Sequence, residues 1–242
     1  MSQTLRRQFR VFATLQIAVI SLTLFSGALS YWIPYVSSHK HIFGLIRYFD
    51  VGRESNFPTY ISSVNLLIAA VLCCLIYLFS RFQHAFASRY WILLAAIFVF
   101  LSIDEATMIH ERFEGLRGFF PEWQVVPSRH SWLFAGVAVA LILGGSMLPF
   151  LFALPRKLAI SFVVGGALFA FGVIGMEFVG SLMLNHGFSP DGPAYQIRRL
   201  LEEACEMFGI VIFNIAAASE LTEKLTRFNL VYLDEGSSGR DG

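Results

Sequence analysis

Charge is what this sequence has least of. Charged side chains make up 14% of its 242 residues and hydrophobic ones 56%, a ratio that leaves too little polar surface to keep a soluble domain of this length in water. The 18 Lys and Arg nearly cancel the 17 Asp and Glu, so no basic stripe exists to neutralise phosphates, and nucleic acid is excluded as a partner. Cysteine is scarce too. Cys73, Cys74 and Cys205 all fall in apolar runs, where the residue acts as a small apolar side chain more often than as a disulfide or ligand. Internal repeats and long polar linkers are lacking. No lysine lies deep in an apolar run, which disfavours a retinal Schiff base. No two histidines sit opposite each other at mid-membrane depth, which leaves a b-type haem without axial ligands.

What is present is apolar length. A bilayer core about 30 Å thick needs roughly 20 mostly apolar residues per helix, and the chain offers six such runs: Val11 to Ile33, Pro58 to Ser80, Tyr90 to His110, Ser131 to Leu154, Leu158 to Leu184 and Leu200 to Glu220. The expected fold is all-α, a polytopic bundle of six transmembrane helices. Residues 1–233 form one membrane domain, and 234–242, rich in Gly, Ser and charge, is expected to be a disordered cytoplasmic tail. Arg6, Arg7 and Arg10 before an apolar stretch and Ala28-Leu29-Ser30 also fit a cleavable signal peptide. Against that, the run is long enough to span and ends in Tyr31 and Trp32, which suit an interfacial aromatic belt. With both termini cytoplasmic, ten of the Lys and Arg lie on the inner side and eight on the outer, the direction of the positive-inside rule. Twelve of the 17 acids then belong to the outer half or its loops.

Helical rise places Asp104 of the third run and Glu206 of the sixth each about 10 Å below the outer surface. Glu177, His110 and Glu111 form a shallower layer. Advancing 100° per residue from Asp104 puts Thr107, His110, Glu111 and Glu114 in one sector and turns Glu105 elsewhere. Glu202, Glu203 and Glu206 share a stripe beside Gly209, and Glu177 lies in a run rich in glycine, which lets helices approach closely. A carboxylate in hydrocarbon costs at least about 2.5 to 3.5 kcal/mol, so such groups face the bundle interior, pair, or line a wet cavity.

Carboxylates and imidazole from three helices at one level are the donor set of a hard or borderline divalent metal, zinc or iron. The candidate ligands are Asp104, His110, Glu111, Glu177, Glu203 and Glu206. The spacing departs from di-metal bundles, which pair Glu with Glu-x-x-His. Without a metal, Asp104 and Glu206 are the catalytic candidates, as an acid and base pair. The structural alternative is that these two join the third and sixth helices, with Arg198 or Arg199 as partner, while Glu105, Glu114 and Glu202 are interfacial acids in contact with water. Asn65 and Ser62 either hydrogen-bond the acids or pack against a neighbouring helix.

The pattern Asp104-Glu105-x4-His110-Glu111, then Glu177, then Glu202-Glu203-x2-Glu206-x2-Gly209, resembles one in uncharacterised bacterial multispanning membrane proteins. The resemblance implies no activity; it implies a bacterial inner (plasma) membrane. Membrane-embedded hydrolases of the alkaline ceramidase type place His-x-x-x-His on a late helix, which this chain lacks, so their zinc site does not carry over. The expected function is an outer-facing carboxylate and histidine site acting as a metal-dependent enzyme on a lipid or lipid-linked substrate. A cation- or proton-coupled transporter and a non-catalytic assembly subunit are the alternatives. Below Glu206 the sixth run offers only Asn214 and Ser219 before Glu220, which favours a one-sided site.

Overall fold

Lipid gives the backbone no hydrogen-bond partner, so a chain crosses it as a helix or a closed barrel. The computed structural model describes residues 3–36, 45–53, 55–81, 88–109 and 132–238, and among them there are helices and no strand. In order these are α1 (Gln3–Val36), the short α2 (Leu45–Phe49), α3 (Phe57–Arg81), α4 (Ser88–Thr107), α5 (Trp132–Ala153), α6 (Arg156–Ala170), a π-helical segment (Phe171–Met176), α7 (Glu177–Asn185) and α8 (Pro193–Ser238). Because α6, the π segment and α7 run on as one rod, Arg156–Asn185, six stretches are long and apolar enough to cross a membrane. The protein is an all-α integral membrane bundle, with both terminal helices beginning or ending at the same end.

α8 is the axis of the bundle. α1, α3 and α6 pack along it, α4 packs on α3, and α5 leans on α6 and the π segment. The half nearer the termini is filled with aromatic rings. Phe213 of α8 stacks on Phe162 of α6 at 4.2 Å and meets Phe98 of α4 at 4.6 Å, while Trp91 sits edge-on to Phe150 of α5 at 5.2 Å. All five are buried. Lipid tails are as apolar as these side chains, so the hydrophobic effect does not drive the helices together; packing and interhelical hydrogen bonds do. Asn214, fully buried, donates to the Asn65 side chain (2.9 Å) and carbonyl (3.1 Å), and Asn65 donates to the Met207 carbonyl (3.1 Å). Asn65 is thus a packing residue of α3 against α8 and does not serve the acids. The Ser63 hydroxyl donates to the Ser102 carbonyl and the Ser102 hydroxyl to that of Ser63, at 2.8 and 2.9 Å, clasping α3 to α4.

Three features shape the other end. Asn56 caps α3 by accepting from the Thr59 amide (3.1 Å), with Pro58 in the first turn where a missing N–H costs nothing. The preceding loop is pinned down: Val51 is buried against Gly27 of α1, and Gly52 lies so close to Tyr31 and Arg199 that a Cβ would come within 2.8 Å of each. α1 is thereby packed into the bundle at a point overlapping the candidate cleavage sequence. Third, α4 stops at Thr107 because Met108 adopts φ 57°, a left-handed conformation that costs an L residue about 1–2 kcal/mol. Of the face projected from Asp104, Thr107 is the last residue of α4, and His110, Glu111 and Glu114 lie outside the described residues.

α6 and α8 meet backbone to backbone at Gly165 and Gly209. A Cβ on Gly209 would meet the Gly165 carbonyl and the Phe169 amide, both at 2.7 Å, whereas one on Gly166 would meet nothing within 4 Å. Backbone atoms cannot swing aside, so Gly209→Ala must part the helices, a repacking that costs about 1–3 kcal/mol. Thermal unfolding in detergent should show Gly209→Ala clearly destabilised and Gly166→Ala at or above the parent. Equal melting of the two variants would refute this packing.

Candidate functional site

Above the aromatic layer, away from the termini, the helices enclose a cavity of about 810 Å³. Its walls toward α4, α5 and the π segment are apolar, including Ile97, Phe100, Val139, Leu143 and Val173. The far side is ionic. Asp104 and Glu105 come from the last turn of α4, Glu177 from the start of α7, Glu202, Glu203 and Glu206 from α8; Arg53, Arg198 and Arg199 line the same space.

Arg198 organises one part of it. The residue is only 5% exposed, and a buried guanidinium is tolerated only if paired and hydrogen-bonded. Its Nη2 meets Glu202 Oε2 at 2.8 Å, one helical turn along α8, and Nη1 reaches Glu177 Oε2 at 3.5 Å on the neighbouring helix. Nη1 also donates to the Met176 carbonyl at 2.6 Å, the last residue of the π segment, and the group lies over the Tyr195 ring at 4.8 Å. Gly180 makes the room: a Cβ there would stand 2.8 Å from Nη1. One cation thus draws two carboxylates from two helices together.

Glu206 lies about a turn deeper. Gly172 of the π segment leaves space for it, since a Cβ on Gly172 would come within 2.6 Å of Glu206 Cγ. Glu203, Glu105, Glu202 and Glu177 all act on it electrostatically. The π turn and its glycine therefore set how deeply this carboxyl is seated, and π turns inside α-helices occur often at functional sites.

Four of the six residues expected from sequence, Asp104, Glu177, Glu203 and Glu206, line this one cavity. His110 and Glu111 fall outside the described residues. Two expectations change. Glu105 does not turn away: it lines the cavity and is the α4 acid whose charge acts on Glu206, because the cavity is wide enough to take two successive positions at a helix end. Glu202 is not a solvated interfacial acid but is 15% exposed and paired to Arg198. Arg198, expected from sequence as a partner for Asp104 and Glu206, is seen paired with Glu177 and Glu202. Its i, i+4 spacing to Glu202 was the signal in the sequence; its bonds to Glu177 and Met176 depend on the neighbouring helix and left none. Among the described residues no three or more His, Cys, Asp or Glu form a group that could hold a metal ion, and two of the expected ligands, His110 and Glu111, lie outside them.

Replacing Arg198 with Met should leave the Glu177 and Glu202 carboxylates without their cation and lower stability by about 3–5 kcal/mol. Adding Glu177→Gln and Glu202→Gln should restore much of that loss. Denaturation in detergent measures both, and a triple variant no more stable than Arg198→Met would show that charge pairing is not what Arg198 supplies.

No curated protein and no solved structure matches the chain. A family model described as a domain of unknown function, DUF8692, matches residues 11–221. That span runs from within the first membrane-crossing stretch to within the sixth and includes every carboxylate of the cavity among the described residues, and the chain belongs to the DUF8692 family.

Proposed function

We propose that this protein is a membrane-embedded enzyme acting on a lipid or lipid-linked substrate at a one-sided site that opens to the outer face, with Glu206 and Asp104 in the acid and base roles. The observation that carries this reading is the joining, in one cavity, of apolar walls with a group of carboxyls from three helices. An amphiphile needs both surfaces. Adjacent carboxyls can divide proton donation and acceptance between them, and a transition-state proton transfer by a positioned side chain contributes typically about 10² to 10⁴ in rate. Arg199, which also lines the cavity, gives it a means of holding a carbonyl oxygen in place.

The one-sided character has separate support. A transport path would have to continue toward the termini, where Phe98, Phe162 and Phe213 stack at ring separations of 4.2 to 4.6 Å and Asn214 is held by Asn65. The positive-inside count supports the outward orientation. Arg47, exposed on α2 at the site end, gives a check: a cysteine placed there should react with a membrane-impermeant maleimide added outside intact cells. Labelling only after the cells are opened would invert the topology.

The activity is tested by incubating the purified protein with a total lipid extract and following lipids by mass spectrometry. The parent should convert at least one lipid class, and Glu206→Gln should slow this by about 10² or more while melting like the parent. Metal content is measured on the same preparation; stoichiometric metal lost in both Asp104→Ala and Glu206→Ala would replace proton chemistry by metal chemistry. No lipid conversion, with Glu206-dependent cation flux in proteoliposomes, would make the protein a transporter.

A further inference from the structure

Cations and acids are sorted by depth at the end of the bundle nearer the termini. α1 carries Arg6, Arg7 and Arg10 there, all exposed, and its first turn holds no acid. Arg89 at the start of α4, Arg156 and Lys157 at the start of α6, and Arg227 on α8 are exposed as well. Interhelical contacts fix their levels. Gln16 of α1 meets Asn214 of α8 at 3.4 Å, Phe98 of α4 meets Phe213, and Gly165 of α6 meets Gly209. Counting helical rise from those contacts places all these cations within about 15 Å along the axis, and long basic side chains narrow the spread by reaching to the headgroups.

Acids are nearly absent from that slab. α8 holds Glu220 and Glu223 in it, and Glu220 is bound to Lys224 at 3.3 Å. The connecting residues 82–87 contain no acid. The next acids on α8, Asp234 and Glu235, belong to a helix that continues to Ser238, and its rise carries them about 21 Å beyond Glu220.

On α1 the arrangement opposes the backbone. The N-terminal end of a helix is its positive end, where cations are disfavoured, and like charges at i, i+3 and i, i+4 repel; Arg7 and Arg6 stand at those spacings from Arg10. An anion among them relieves both costs. Arginine, rather than lysine, supplies all but one of the exposed cations, and its planar fork binds phosphate oxygens in pairs. What lies next to the cations identifies the source of the phosphate. Arg7, Val11 and Leu15 follow one another at i, i+4, i+8 on an exposed face of α1, and Arg156, Ile160 and Val164 do the same on α6. Two helices thus present a guanidinium group and, beside it, an apolar stripe, the order in which a phospholipid presents its phosphate and its chains.

We propose that this end of the bundle binds anionic phospholipids of the adjoining leaflet, their phosphates held by the arginines of α1 and of the start of α6 and their chains lying along the apolar stripes. The surface is separate from the cavity, and its occupancy does not depend on the reaction there.

The test uses the full chain in detergent with phosphatidylglycerol, phosphatidylcholine and inorganic phosphate as probes. Native mass spectrometry should retain phosphatidylglycerol over phosphatidylcholine by about fivefold or more, and only phosphatidylglycerol should raise the melting temperature. The preference should shrink as salt is raised well above about 0.15 M. Arg6→Gln with Arg7→Gln and Arg10→Gln should cut the retained phosphatidylglycerol severalfold. Arg156→Gln with Lys157→Gln should do so independently, and serves alone if the first variant melts early. Arg47→Gln, at the opposite end, should bind like the parent. Equal retention of the two phospholipids, a preference indifferent to both sets of substitutions, or equal stabilisation by inorganic phosphate overturns the proposal.

Discussion

The close approach of the fifth and sixth membrane-crossing stretches is the constraint on which the rest of the site depends. Gly165 and Gly209 bring two backbones to a distance at which no Cβ fits. Once that contact is made, the two helices run alongside each other, and Gly172 falls opposite Glu206 and Gly180 opposite Arg198. Small residues thus serve two ends on one face: van der Waals packing at the first position, and space for an ionic side chain at the next two. The carboxyls of these two helices meet in one cavity because the helices cannot slide past one another without these glycines losing register.

The ionic groups in turn explain why the bundle is uneven. Nearer the termini, aromatic rings and amide hydrogen bonds fill the volume, leaving nothing a polar solute could use. At the other end the side chains are long and charged, and they cannot pack into one another as rings do. Arg198 reconciles Glu177 and Glu202, but a space remains between them and α5, whose outward faces carry Leu141 and Phe152, 72% and 87% exposed. Such exposure would be costly in water and is ordinary against lipid.

Much of this was legible in the sequence. Six runs separated by short polar segments gave six crossing helices, and five of them began or ended within three residues of expectation; the sixth, Pro193–Phe228, runs beyond it at both ends. Counting residues along those helices also brought Asp104, Glu177, Glu203 and Glu206 to one region. The failures have physical causes. Met108 carries no signature of a left-handed residue, since glycine and asparagine are the usual signals, so the end of α4 could not be read. The π segment changes the hydrogen-bond ladder without changing composition, and Gly172 and Gly175 look the same whether they serve packing or a widened turn. Projection onto a single helix assigned Glu105 outward because it takes no account of how far a cavity wraps around a helix end. Arg198 was legible as a partner for acids, but its bonds to Glu177 and Met176 were not, because they belong to another helix.

The pairing of Arg198 with Glu177 also bears on how the chain enters the bilayer. α7 carries its acid into lipid before Arg198 has left the ribosome, and a lone charge near a helix centre costs about 2.5 to 3.5 kcal/mol on insertion scales. The fifth stretch, with mean hydropathy 2.3, is apolar enough to bear that alone. The sixth, at 1.5 and with three acids and two arginines near its start, is less so. It gains a ready partner in the helix just laid down, whose carboxylate and glycine face receive the guanidinium as it arrives. Biogenesis is thereby biased toward delivering the last two crossings as a hairpin, with the site's own ion pair as the clasp.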